Sequence, residues 1–335
     1  MICDRSRTLI DDADGGVYTV ETYPLGGLYD DKFIPGLSRL ADAVHGHGCE
    51  LIAQIFQNGA AIKTKGGAWC SSTLTAEELP SPEPYCHPTR GLSLEEIEAF
   101  KERYFAAAER AKKAGLDGIE VHAANGYFLL SFVSRVWNHR DDQYGCQSLE
   151  NRTRLVCEII RGVKERCGED FIVGVRTNGQ EYGHPDAITI EEGVEIAKFY
   201  DAAGVDYISV TGYGYGPVPM QFALDYWMYP SPDDDMKQYL DRLDGEGLSI
   251  PPAAAIKQAV SAPVFGVGSL RRKRPKRRSR RARSTWPCSR VVSGPTPTCP
   301  TRLRKAPRGH PSLQPLRDVR RAAHERDAAP PLPRE

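Results

Sequence analysis

The sequence has no run of 18 or more apolar residues, and its opening MICDRSRTLIDDADGG has neither the basic start nor the apolar middle of a signal peptide. Neither a membrane-spanning helix nor a secretory leader is expected, and the cytoplasm is the expected compartment. None of the nine cysteines (Cys3, Cys49, Cys70, Cys86, Cys146, Cys157, Cys167, Cys288, Cys299) falls in a C-x-x-C pair or a metal-ligand spacing. Scattered reduced thiols are the expectation, with no metal site. No strand candidate leads into a G-x-G-x-x-G turn, which argues against a doubly wound dinucleotide-binding sheet. Ile, Phe and Tyr are nearly missing beyond residue 270.

What is present is enough for one large domain, or a domain with an appendage: 335 residues, 40% hydrophobic and 26% charged. The formal net charge of zero hides a split. Residues 271–335 hold 20 Lys and Arg against 4 Asp and Glu, which leaves 24 against 40 for residues 1–270. The Pro-rich basic segment has too little apolar surface to offset the entropy of ordering it. A domain boundary is expected at about Leu270, with a disordered Arg/Pro-rich tail over 271–335.

Between Glu50 and Gly268 short apolar runs alternate with longer amphipathic ones, the pattern of parallel strands joined by crossover helices. The strand candidates are 50–56, 118–123, 171–176, 207–212 and 263–268, with MICD as the stub of another. Each reads as apolar throughout, which predicts burial on both faces. Over 93–115, Ile97, Phe100, Tyr104, Ala108 and Ala111 recur at steps of three and four, Ser93 and Glu96 form a capping box, and Gly115 suits the C-terminal end. Further helices are predicted from Ser148 to Cys167, from Thr189 (with Glu192 completing a capping box) to just before Gly204, and over GLSRLADAVHGHG ahead of the strand at Glu50. The expected fold is α/β, a (β/α)8 TIM barrel with its first and eighth strands missing.

In such a barrel the C-terminal strand ends form the active-site face, and Gln54, His122, Arg176 and the GVGS glycines lie at such ends. Taken singly they decide little. An H-x-x-N is more often a loop's own hydrogen bonding than a site, Tyr127 precedes an apolar run and suits a core, and GVG is a common turn. Arg176 suits equally a structural ion pair with Glu120 and a functional cation.

Read in order, however, HAANGYFLLSFVSRVWNHRDDQYG followed by SLENRTRLVCEIIRGVKERCGEDFIVGVR resembles the Old Yellow Enzyme family of FMN-dependent NAD(P)H oxidoreductases. That family reads H-x-A-N/H-G-Y-L, then N-x-R-x-D-x-Y-G-G-S-x-E-N-R, then a strand ending V-x-R. Weaker similarity extends over about Met1 to Leu270. The resemblance implies that His122 and Asn125 bind the carbonyl oxygen of an α,β-unsaturated substrate and that Tyr127 protonates its α-carbon. It also implies that Gln54 and Arg176 contact the FMN ring and Gly268 its phosphate, with NADH or NADPH as reductant in the same pocket. The substrate is a small enone or enoate of open identity; cyclic enones, steroid-like enones and dienoyl thioesters all fit.

Three departures accompany the resemblance. The family's opening strand and helix have no counterpart ahead of MICD. The aromatic-His-x-Gly-Arg loop reads FQNGA, with Gln57 and Ala61 at the His and Arg positions. After Leu270, RRKRPKRRSRRARSTWPCSR stands where a helix, a strand and a Gly-Arg pair are expected. Arg, Pro, Ala and Ser are what G+C-rich codons yield out of frame, so a frameshifted or truncated reading is the expectation there. The competing readings are a non-catalytic barrel remnant and a protein binding phosphates or nucleic acid through the basic tail. The tail has Trp286 as its single aromatic, which weighs against nucleic acid. Oligomeric state is not legible.

Overall fold

A computed structural model describes residues 2–5, 27–61, 68–81, 83, 85–216, 249–266 and 290–291. The chain divides into a unit Met1–Gly294 and a unit Pro295–Glu335, the second wholly outside the described residues. Leu270, Gly268 and residues 217–248 also lie outside them.

The main sheet takes its strands almost in chain order. β1 (Ile2–Arg5), β2 (Ile52–Phe56), β5 (Gly118–Ala123), β6 (Ile172–Tyr182), β7 (Tyr207–Gly214) and β8 (Val264–Gly266) are parallel neighbours in that sequence. The described part of MICD, from Ile2, is thus strand, as expected from its sequence. β9 (Arg290–Val291) pairs antiparallel with β8, so this described piece of the expected disordered tail is strand. β3 (Ala68–Cys70) and β4 (Thr89–Gly91) form a separate small sheet within the β2–β5 connection.

Helices α1 (Ile34–His45), α2 (Leu94–Lys113), α4 (Leu149–Cys167) and α5 (Ile190–Ala202) fall where periodicity predicts them. The α2 stripe of Ile97, Phe100, Tyr104, Ala108 and Ala111 is wholly buried, the Ser93–Glu96 capping box forms in both directions, and Gly115 follows at φ +80°. Periodicity does not predict the short α3 (Phe128–Val133) and α6 (Ile250–Ala259), because neither carries a long amphipathic stripe. The α5 capping box is only half formed. Thr189 Oγ1 accepts from the Glu192 N–H at 3.3 Å, but the Glu192 carboxylate is engaged by the guanidinium groups of Arg152 and Arg135. Both guanidinium groups meet the same oxygen, Oε1, and the buried Oε2 accepts no hydrogen bond among the described residues.

The strands are not uniformly apolar. Ala53, Ile55, Ile119, Val121, Val173, Val175, Ile208, Val210 and Val264 face the helices and join one core. Residues paired across strands share a face, so the opposite face reads in rows: Gln54, Glu120, Gly174 and Tyr207, then Phe56, His122, Arg176 and Ser209. Both faces are largely buried, with Arg176 and Tyr207 half-buried on the polar one, and only the other is hydrocarbon. Gly174 lacks a side chain where the Tyr207 ring crosses; a Cβ there would meet that ring at 2.1 Å.

Candidate functional site

The chain reverses direction just beyond β5. Asn125, at φ +59°, is the one non-glycine with positive φ among the described residues, and Gly126 follows at +73°. Left-handed backbone costs a side-chain-bearing residue roughly 1–3 kcal/mol, least for Asn, and persists only where the surroundings hold it. Tyr127 N–H closes the turn on Ala124 O at 3.1 Å, and Phe128 N–H donates to Gln57 O at 3.0 Å, tying the start of α3 to the loop after β2. Gly59, at φ +61°, lets that loop approach; a Cβ there would stand 2.9 Å from the Phe128 nitrogen.

This turn gathers His122, Asn125 and Tyr127. All three are buried, with the Tyr127 ring edge-on to His122 (centroids 4.9 Å apart) and both rings packed on Phe56. The Ala124 N–H donates to His122 Nδ1 at 3.2 Å, so Nδ1 accepts and the neutral ring carries its proton on Nε2. Burial, reinforced by the positive charge of Arg176, holds the His122 pKa well below its ordinary value near 6.5. His122 is therefore a neutral hydrogen-bond donor rather than a cation.

Asn125 is held at both ends. Its backbone N–H donates to Asn178 Oδ1 at 3.1 Å, and its Nδ2 to Gly212 O at 3.3 Å. Asn178 Nδ2 donates in turn to Glu181 Oε1 at 3.0 Å, deep in the interior.

Gln54 lies one row below His122, and its Nε2 donates to Glu120 Oε1 at 2.5 Å. The carboxylate of Glu120 is therefore engaged by Gln54 and stands beside the Tyr207 phenol, whose pKa burial and then that charge push up. Arg176, paired in register with His122, makes no ion pair with Glu120 or any other carboxylate among the described residues. Of the two readings left open for Arg176, the structural ion pair is removed. Gly268 cannot be placed, since it lies outside the described residues.

The model of the NADH:flavin oxidoreductase / NADH oxidase family matches residues 12–215. The chain belongs to this family. It is 35% identical over 247 residues to an NADH oxidase of Thermoanaerobacter brockii, covering 73% of this chain and 34% of that protein. It is 29% identical over 259 residues to a cinnamate reductase of Clostridium sporogenes, covering 71% and 35%. The structure of an old yellow enzyme homologue from Zymomonas mobilis matches with a TM-score of 0.53 at 24% identity, over 71% of this chain and 62% of that one, a likeness of fold. The chain spans about a quarter to a third of the length of the first curated relatives it matches.

FMN, with NADH or NADPH as reductant, is the cofactor set that comes with this membership. The described residues fit it. A polar row headed by an immobilised amide, Gln54, suits the donor–acceptor edge of a flavin ring, and an Arg176 guanidinium without a carboxylate partner suits the negative charge a flavin gains on reduction. Among the described residues no group of three or more His, Cys, Asp or Glu is disposed to hold a metal, and no helix is long and apolar enough to cross a membrane.

Sequence reasoning missed Asn178, Glu181 and Tyr207, and took Glu120 only as a partner for Arg176. Period-two alternation along β5 and β7 signals Glu120 and Tyr207. Nothing local signals Glu181, because its face depends on an irregularity in β6.

Proposed function

We propose that this chain carries the catalytic centre of an FMN-dependent NAD(P)H oxidoreductase that reduces the C=C bond of an α,β-unsaturated carbonyl compound. The observation that carries the reading is the neutral, Nε2-protonated His122 beside Asn125 and Tyr127, in the same strand row as the Arg176 guanidinium, which has no carboxylate partner among the described residues. The relative named as a cinnamate reductase supports an enoate or enone as substrate.

His122 Nε2–H and Asn125 Nδ2–H donate to the substrate carbonyl oxygen, drawing electrons from the β-carbon. The hydride that this carbon accepts is the chemistry FMN supplies when bound, renewed from NADH or NADPH. As negative charge gathers on the oxygen, two fixed donors in a water-poor site stabilise it by roughly 3 kcal/mol each. A neutral histidine suits this role, since its proton is shared with the oxygen and retained. Tyr127 Oη gives its proton to the α-carbon, a step worth about 10² to 10⁴ in rate. Gln54, held by Glu120, would bind the flavin edge, and Arg176 would balance the negative charge of the reduced ring.

The six parallel strands in sequence support an incomplete (β/α)8 barrel, and the charge break near Leu270 supports a flavin-binding unit over 1–270 with Gly268 at its phosphate end and a separate basic segment over 271–335. The deciding experiment purifies the full chain, records its visible spectrum, and follows NADPH- or NADH-driven reduction of 2-cyclohexenone. A protein that takes up FMN and reduces the enone meets the proposal. Full FMN occupancy without enone or enoate reduction refutes it.

A further inference from the structure

We propose that Asn178 and Glu181 form a directional hydrogen-bond relay that sets Asn125 in its left-handed, carbonyl-facing conformation, which makes Glu181 a positioning residue for the oxyanion site. The inference rests on the function proposed above and adds two residues to it.

An asparagine amide can present either end to a neighbour. Asn178 has a backbone N–H (Asn125) on one side and a carboxylate (Glu181) on the other. Since the carboxylate accepts, Nδ2 must turn to Glu181 and Oδ1 to Asn125; the reverse orientation would set N–H against N–H and oxygen against oxygen. Glu181 thus decides which way Asn178 faces, and Asn178 holds the residue whose backbone angle is the unusual one.

Glu181 is built for this duty. Its Oε2 accepts from Ser134 Oγ at 2.7 Å and from the Ile188 N–H at 3.2 Å, and no Lys, Arg or His pairs with it among the described residues. Ser134 Oγ is 3.3 Å from the Tyr215 hydroxyl, which accepts from Trp137 Nε1 at 3.0 Å, so the carboxylate is braced by a second layer of polar groups. Burial pushes its pKa up. A buried carboxyl costs stability and is retained here amid neutral donors.

A break in β6 aims it. Register runs Arg176 to Ser209 and Asn178 to Thr211, then shifts, so that Glu181 pairs with Tyr213. Residues 209, 211 and 213 of β7 share one face, and their partners 176, 178 and 181 therefore share it too. Regular alternation would turn residue 181 away. The extra residue, Gly179, has no room for a side chain: a Cβ would meet Val210 at 2.6 Å and Pro252 at 2.8 Å.

The test exchanges the two polar groups in the FMN-loaded full chain and reads binding of para-chlorophenol, an enolate mimic, by its long-wavelength charge-transfer band. Asn178→Asp sets two carboxylates together and should weaken phenol binding by about 10- to 100-fold. Asn178→Asp/Glu181→Gln restores the relay, since the carboxylate introduced at position 178 would accept from both Asn125 and the amide introduced at position 181; affinity should return to within about threefold of the parent. FMN occupancy should stay unchanged throughout. If the parent binds phenol and the double variant, folded by circular dichroism, is no better than Asn178→Asp, the relay is overturned while the proposed function stands. A parent without any phenol band overturns both. Should Asn178→Asp not fold, the isosteric Glu181→Gln decides alone: weakened binding supports the relay, unchanged binding ends it.

Discussion

His122 shows how one backbone contact selects a chemistry. Because Ala124 N–H occupies Nδ1, the ring has a single donor, at Nε2, and burial keeps it from taking a second proton. His122→Ala should therefore weaken para-chlorophenol binding by on the order of 10²-fold, the usual effect of one lost oxyanion donor, and remove most of its charge-transfer band. Tyr127 acts later in the cycle. In rapid-mixing experiments Tyr127→Phe should slow reoxidation of the flavin by an enone by about 10² to 10⁴-fold and leave its reduction by the nicotinamide within about twofold. Equal losses in both half-reactions would contradict the proton-donor assignment.

At the scale of elements, buried polar contacts join what the sheet leaves apart. Arg152 on α4 is almost fully buried, donates from Nε to Val133 O at 2.6 Å beside the end of α3, and meets Glu192 on α5 at 2.5 Å. Removing one member of such a pair leaves a buried charge unpaired, so Glu192→Ala should lower unfolding free energy by about 3–5 kcal/mol in urea titrations. Arg152→Met/Glu192→Met, which removes both charges, should lose clearly less. Gly59 joins the β2 loop to α3 by its freedom at φ +61° and its close approach to Phe128. Gly59→Ala should cost about 1–3 kcal/mol and also weaken phenol binding, since the displaced backbone carries Tyr127.

For the whole molecule, two buried groups tilt the pH dependence of stability in opposite senses. The folded pKa of His122 lies well below 6.5, so the unfolded chain takes up this proton first; its contribution is complete above pH 6.5 and declines as pH falls. Glu181 has a folded pKa above its ordinary 4.5, so its contribution is greatest below pH 4.5 and is lost as pH rises through the folded pKa. Urea midpoints measured between pH 6.5 and 5 should fall less steeply for His122→Gln than for the parent, by up to about 1.4 kcal/mol per pH unit for one proton. Glu181→Gln should gain stability relative to the parent as pH rises from 4.5.

Local pattern sufficed for much of this. The stripe on α2, the extents of α4 and α5, the apolar strand cores and the linear cluster His122–Asn125–Tyr127 were all legible, because a period of 3.6 or 2, a helix cap and a short loop are properties of neighbouring residues. Tertiary structure alone decided which group meets which across strands. It took Glu120 from Arg176 and gave it to Gln54, drew the Glu192 carboxylate from its own helix cap to Arg152, and chose the His122 tautomer. One extra residue in β6 then turned Glu181 toward Asn178. Such pairings depend on register between segments far apart in the chain, and a register is set by the packed sheet as a whole, not by any stretch of chain within it.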